Sequence, residues 1–399
     1  NRNTDMSLRF SSAPPLMLRI LLAFSLAVQP VLATDLPDLG EVSRQYFSDQ
    51  EEQALGRAIM RDVYADPRYL DDPEIESYLN QLGYKLVSVS QRNQREFTFF
   101  VVSDPSINAF AMPGGNIGVH TGLLLAAQSE SELASVIAHE IAHVTQDHIA
   151  RMVAAQSQSY WPTMAALALA LLASRSNPNV ASAAIATTQA YSIQSQLNFS
   201  RDYEREADRL GYDMLTRADF DPRGMSGFFN RLQRANRFYD TSAPAYLRTH
   251  PLTTERIADM ENRVASMPYR QVLDSADFRY ARAKLRAIAG QPAEAVTDLQ
   301  DQLARTPHDD ALDYGLARAL LRAGRLDEAE QRVAALRKSA PASSWVEGLG
   351  AEVRLARKDA AGAVRTLEAA QKQFPASRSL AYALADARIH AGQAREAAA

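Results

Sequence analysis

The 399-residue sequence predicts an α+β, mainly α chain: a helical domain around a small β-sheet, followed by an α-solenoid of repeated helix pairs. Three observations predict it. Apolar residues recur at helical spacing between 50 and 91, a β-rich stretch with strong turn signals spans 97–120, and the last third repeats with a period of 34 residues. A chain this long outgrows one hydrophobic core, so more than one domain is expected. Its 46% hydrophobic and 23% charged residues are ordinary for a folded protein, and disorder as the overall state is excluded. A net charge of −4 and a pI near 6.0 provide no basic face for nucleic acid. The absence of cysteine removes disulfides, thiolate metal sites and cysteine nucleophiles together.

Taken in order, the chain begins with an export signature. Arg9 and Arg19 flank the apolar run from Ile20 to Val28, and Val31-Leu32-Ala33 offers a small-residue cleavage site. The run is short for a membrane span, so residues 1–33 are expected to be a cleavable signal peptide rather than an uncleaved anchor. The expected division is then 1–33 signal, 34–270 a first domain and 271–399 repeats.

Between Gln50 and Gln91, Ile59, Val63, Ile75, Tyr78, Leu79, Leu82 and Leu86 mark helical faces. Phe97 to Val102 reads as a strand. Ala109-Phe110-Ala111 and Ile117-Gly118-Val119 flank Pro113-Gly114-Gly115-Asn116, which predicts one hairpin within a small sheet. A long helix is expected from about Ser131 to Val153. Pro162 to Ala173 is apolar but short of the roughly 20 residues of a spanning helix, so it is expected to pack against protein. A further helix is expected from Phe199 to about Arg217.

In the last third, Gly290, Gly324 and Gly392 are spaced by 34 and 68 residues, with Lys358 in the missing slot. Ala295, Ala329, Ala363 and Ala397 recur every 34, as do Pro307, Pro341 and Pro375. Thirty-four is the tetratricopeptide period, with a small residue at the tight turn, alanine where paired helices touch, and proline ending the second helix. The array is expected to start near Asp274, and its fourth unit to lack most of its second helix.

The chemistry centres on His139-Glu140-Ile141-Ala142-His143. Two histidines at i and i+4 share a helical face, so both imidazoles reach one metal, and the glutamate beside them can take a proton from a metal-bound water. Zinc suits two neutral imidazoles plus a carboxylate with one position left open. The expected cofactor is one zinc ion per chain. A third ligand is sought in the segment from Phe199 to Asp208, which offers four carboxylates. Glu204 and Asp208 are four apart and share a face, so one can bind metal while the other accepts the N–H of a ligating histidine. Glu206 lies roughly 200° around the helix from Glu204 and is excluded from that pair. The reaction expected is water-mediated peptide hydrolysis, with substrate extended along the edge of the sheet between Phe97 and His120.

The motif from His139 to His143, followed about sixty residues later by Glu204 and Asp208, resembles the M48 metallopeptidases, a gluzincin family. The resemblance implies a gluzincin-type domain with zinc ligands His139, His143 and Glu204, base Glu140, and Asp208 supporting a ligand from behind. It also draws attention to Thr249-His250-Pro251 and to Arg256. It implies that His250 lies in a loop near the metal and can fill the open position, keeping the enzyme latent. Arg256 is expected to stabilise an oxyanion. With a signal and a C-terminal repeat array, the resemblance further implies a periplasmic protease acting on unfolded or misassembled outer-membrane proteins. It implies contacts with the outer-membrane assembly machinery through the repeats, and it leaves room for peripheral membrane association. His120, His148, His308 and His390 are read as structural or surface residues.

Two rival readings are weighed. One is a tetratricopeptide chaperone or adaptor whose proteolytic activity is minor or silent. The other is a purely structural zinc site, disfavoured because such sites close four ligands, often with cysteine.

Overall fold

The computed structural model describes residues 48–155, 200–238, 244–268 and 271–397. The expected signal peptide at 1–33 and the apolar segment from Pro162 to Ala173 lie outside the described residues. The described chain opens with α1 (Asp49–Ala65), whose N-terminus carries a reciprocal cap between Ser48 and Glu51. α2 (Pro73–Val87) starts with proline at its first turn and Asp72 accepting from the Glu74 and Ile75 amides. The apolar residues picked out by periodicity, from Ile75 to Leu86, are the buried face of α2.

The sheet has three strands in the order β1-β3-β2. β1 (Thr98–Val102) runs parallel to β3 (Asn116–His120), and β2 (Ala109–Met112) pairs antiparallel with β3 from Ala109↔Val119 to Met112↔Asn116. The expected hairpin is therefore present. Its turn needs two residues at positive φ, supplied by Gly114 at 80° and Gly115 at 76°. β3 is buried along its length, whereas β2 forms an outer edge that packs against the following long helix.

After α3 (Thr121–Ala126) comes α4 (Glu130–Thr145), capped by Ser129. Here the structure corrects the expected helix from Ser131 to Val153. It breaks at Asp147, which sits at φ 53°, and resumes as α5 over residues 148–155. The left-handed conformation is held by ion pairs from the Asp147 carboxylate to Arg92 and Arg95. α6 then covers 200–217, followed by α7 (Arg223–Phe238), α8 (Ala245–Thr249) and α9 (Thr254–Ala265).

The repeats follow as α10 (Ala276–Ile288), α11 (Pro292–Arg305), α12 (Asp310–Arg322), α13 (Leu326–Ser339), α14 (Ser344–Ala356), α15 (Ala360–Gln373), α16 (Arg378–His390) and α17 (Ala394–Ala397). All four predicted turn positions adopt positive φ: Gly290, Gly324 and Gly392 at 55°, 74° and 77°, and Lys358 at 65°. Ala295, Ala329 and Ala363 are buried between paired helices, as their period required.

How the repeats meet the rest was not legible in the sequence. One continuous core joins Ile75 and Tyr78 of α2 to Phe278 and Leu285 of α10. Around it, Lys284 reaches Asp72 and Glu74, each at 2.6 Å, while Arg318 bridges Glu74 at 3.4 Å and Glu352 at 2.8 Å. Ser275 donates to Glu130 through its amide at 2.9 Å and its hydroxyl at 2.7 Å. No helix among the described residues is long and apolar enough to cross a membrane.

Candidate metal centre

Two helices and one loop build the site. α4 carries His139, Glu140 and His143; α6 carries Glu204 and Asp208; His250 follows α8. Close approach of the two helices depends on Gly211, where an added Cβ would stand 3.0 Å from the Met225 side chain and 3.2 Å from the His139 backbone nitrogen. His139, Glu140, Glu204, Asp208, His250 and Arg256 are all buried.

One donor atom from each of His139, His143, Glu204 and His250 lies within 4.8 Å of the others. The separations are short. His139 Nε2 is 3.0 Å from His143 Nε2 and 3.3 Å from His250 Nδ1. Glu204 lies 3.3 Å from each of the first two nitrogens and 3.0 Å from the third. Donors placed ~2.0–2.2 Å from a shared cation stand roughly 3.3–3.6 Å apart, so these residues are close enough together to hold one zinc ion. The fit also rests on donor type, since three imidazoles and a carboxylate turning lone pairs toward one point are stable together only around a proton or a cation.

Without a cation in the cluster, its carboxylates draw a proton onto one of the rings instead. Burial works against charge on His139, but Glu204 and Asp208 outweigh it and raise the imidazole to about 10. At His143 burial dominates and the ring falls to about 3. Burial opposes the Glu204 carboxylate too, yet the imidazoles around it hold it well below the usual carboxylate range.

Behind the donors, His139 Nδ1 stands 2.9 Å from Asp208, which Arg256 grips through Nε at 2.6 Å and Nη2 at 2.8 Å. Arg256 Nη1 also reaches Glu204 at 2.8 Å and the Pro251 carbonyl at 2.8 Å. In this arrangement the Arg256 donors engage the two carboxylates and the loop, so beside the expected oxyanion role stands a second one, a brace behind the donor set.

Glu140 is fully buried, and the backbone amide of Ala111 on β2 hydrogen-bonds to its carboxylate. Burial raises its pKa, while His250 and His139 pull it the other way. Its nearest ionisable neighbour in the site is His250 Nε2, at 3.4 Å.

Sequence reasoning missed two participants. Tyr246 is buried and stacks on His250, and His148 touches the outer nitrogen of His143. The second was hidden because five residues along an unbroken helix turns a side chain about 140° away. Glu206 stays out of the donor cluster, as its angular position required, and pairs instead with His148 and Arg151. His120 turns to Ser106 at 2.9 Å and plays no part in the cluster. A second acidic group, Asp49, Glu52 and Asp147, is paired with Arg92 and Arg95.

With that geometry in hand, similarity to known proteins becomes informative. Residues 73–264 match peptidase family M48, and residues 287–351 match a tetratricopeptide repeat. The chain is 34% identical over 369 residues to the beta-barrel assembly-enhancing protease of Escherichia coli K12, covering 92% of this chain and 75% of that protein. A Vibrio cholerae protein provisionally given the same name is 40% identical over 311 residues, 77% of this chain; the match spans 64% of the relative, slightly under two thirds. The mitochondrial metalloendopeptidase OMA1 of Schizosaccharomyces pombe is 30% identical over 185 residues, 46% of this chain and 51% of the relative.

Proposed function

Because the chain belongs to peptidase family M48, a family of metalloproteases, we propose that it is a zinc metalloendopeptidase with a latent active site and a protein-binding repeat array. The observation that carries this reading is the convergence of one donor atom each from His139, His143, Glu204 and His250 within 4.8 Å of one another, beside the buried carboxylate of Glu140. Residues 34–270 form the protease part and residues 271–399 the repeats in this reading.

His139, His143 and Glu204 are the residues that would hold zinc, one ion per chain. Bound there, zinc would supply a water of lowered pKa and a Lewis acid for the scissile carbonyl. Glu140 takes the proton of the attacking water and returns it to the leaving amine, a task suited to a carboxylate whose pKa burial has raised. Asp208 orients His139, and Arg256 keeps Asp208 and Glu204 charged and in place. Substrate lies along β2, the sheet edge packed on α4, where main-chain hydrogen bonds recognise any extended polypeptide.

His250 is the latch. Its Nδ1 completes the donor set where water and substrate need room, so activity requires the loop after α8 to withdraw. This closed state also favours the second reading, an adaptor that cleaves rarely.

The relatives' names speak of β-barrel assembly, which supports substrates among β-barrel proteins and an assembly machinery as partner; with the apolar run from Ile20 to Val28 read as an export signal, the place of action in this reading is the periplasm. A cleft of about 660 Å³ between α2 and the repeats, lined by Tyr78, Tyr280, Trp345 and Phe374, supports polypeptide binding there. The test is casein cleavage by purified protein with and without chelator, beside Glu140→Gln, which removes the base and keeps the donors. Cleavage abolished by both is expected; cleavage that survives Glu140→Gln overturns the mechanism. If Glu140→Gln loses cleavage and still restores outer-membrane assembly fully in cells, the adaptor reading prevails.

A further inference from the structure

The two histidines of α4 are supported from behind by different chemistry. His139 meets a carboxylate directly, Asp208 at 2.9 Å. His143 instead meets another imidazole, His148, with the two Nδ1 atoms 2.8 Å apart. We propose that His148, anchored by Glu206 and Arg151, is a positioning residue that fixes the tautomer and ring plane of His143, so that His143 presents Nε2 to a cation. This rests on the metal-site reading given above.

Proton bookkeeping leaves one arrangement. His143 Nε2 faces the donor cluster, 3.0 Å from His139 Nε2 and 3.3 Å from Glu204, so it must keep its lone pair to bind a cation. The proton of the neutral ring is then on Nδ1, which donates to His148 Nδ1. His148 in turn carries its proton on Nε2 and donates to Glu206 Oε2 at 3.1 Å. Arg151 closes the chain by donating to the same oxygen at 2.8 Å. Each contact has one donor and one acceptor, and no nitrogen is asked to do both.

The backbone is shaped to allow it. A continuous helix would carry His148 about 140° away from His143. The left-handed Asp147, held by Arg92 and Arg95, turns the chain back, and Arg95 also donates to the Val144 carbonyl at 2.6 Å. His148 then lies flat on Tyr203, with ring centroids 4.5 Å apart and planes 18° from parallel, and Arg151 covers the Tyr203 ring at 4.6 Å. A surface histidine requires none of this; His148 is 2% exposed.

The consequence is an asymmetric pair of ligands. A carboxylate raises the basicity of His139 directly, whereas Glu206 acts on His143 only through a neutral ring, so removing His148 releases the orientation of one ligand and leaves the other intact.

Zinc affinity of full-length protein, measured by competition with a chromophoric chelator, tests this, together with the visible spectrum of the cobalt-substituted protein. His148→Phe keeps the stack on Tyr203 and removes the acceptor; we expect zinc to bind about 10–100-fold more weakly. His148→Asn restores an acceptor near the Nδ1 position, and its affinity and cobalt spectrum should return most of the way to wild type. Rescue by asparagine is what a purely packing role would not produce, so equal losses in both variants overturn the proposal. Should His148→Phe not fold, Glu206→Gln and Arg151→Met probe the outer end of the chain. A several-fold loss in each is expected, and wild-type affinity in both overturns the proposal. Glu204→Gln separates this from the underlying reading. If it loses zinc while His148→Phe binds normally, only the positioning role falls; if Glu204→Gln itself binds normally, the metal site falls.

Discussion

His250 stacks on Tyr246, with ring centroids 4.6 Å apart and planes 23° from parallel. The His250 amide donates to the Tyr246 carbonyl at 2.9 Å, and the Tyr246 amide donates to Ile107, just ahead of β2, at 3.2 Å. The loop carrying His250, the proposed latch, is thus tied to the strand along which substrate is proposed to bind. On the proposed mechanism, seating a polypeptide on β2 would couple to withdrawal of His250 through Ile107 and Tyr246.

His250→Ala is expected to raise casein cleavage on the order of 10–100-fold, the gain for a withdrawn state populated at roughly 1–10%. Tyr246→Leu should raise it less, because the ring of His250 stays but loses its backing. Unchanged or lost activity in His250→Ala would give His250 a role with substrate instead.

Arg256 separates bracing from oxyanion stabilisation. Arg256→Gln leaves the buried Asp208 without its bidentate partner, and chelator-stripped protein should lose about 3–5 kcal/mol of stability by urea denaturation. A residue acting only on an oxyanion would lower kcat and leave that metal-free stability unchanged.

Glu74 joins the two parts of the chain. Glu74→Ala takes from Lys284 and Arg318 the carboxylate they share while leaving them Asp72 and Glu352, and a loss of about 1–3 kcal/mol is expected. Limited proteolysis should then release the repeats as a fragment. An unchanged cleavage pattern would show that apolar contacts alone, such as that of Tyr78 with Phe278 at 6.4 Å, hold the junction.

Lys358 is a non-glycine residue at φ 65° in a turn whose counterparts are Gly290, Gly324 and Gly392. Lys358→Gly should stabilise the protein by about 0.5–1 kcal/mol, because the left-handed conformation costs an L-residue more than the extra backbone entropy of glycine. Calorimetry reads the change. Destabilisation would mean that the lysine side chain makes a contribution larger than its strain.

Much was legible because period and spacing are properties of the chain itself. The 34-residue recurrence of Gly290, Ala295 and Pro307 gave the repeat period and put Lys358 in the slot of a turn residue, where the structure finds φ 65°. Helical geometry put His139 with His143 and Glu204 with Asp208, and it kept Glu206 out of the donor set. The break at Asp147 was not legible. Its left-handed conformation is set by Arg92 and Arg95, more than fifty residues away, and nothing local in Gln146-Asp147-His148 announces it.

What the sequence by itself determined, then, is which residues share a face and where helices repeat, since three-dimensional neighbours three or four positions apart follow from the pitch of a helix. What only the tertiary structure decided is which faces meet. The stack of Tyr246 on His250, the turn of His148 back to His143, the bracing of Asp208 by Arg256 and the seat of α2 against the repeats all join residues distant in sequence or beyond a helix break. Such contacts are selected by the packing of whole elements, and no local period encodes them.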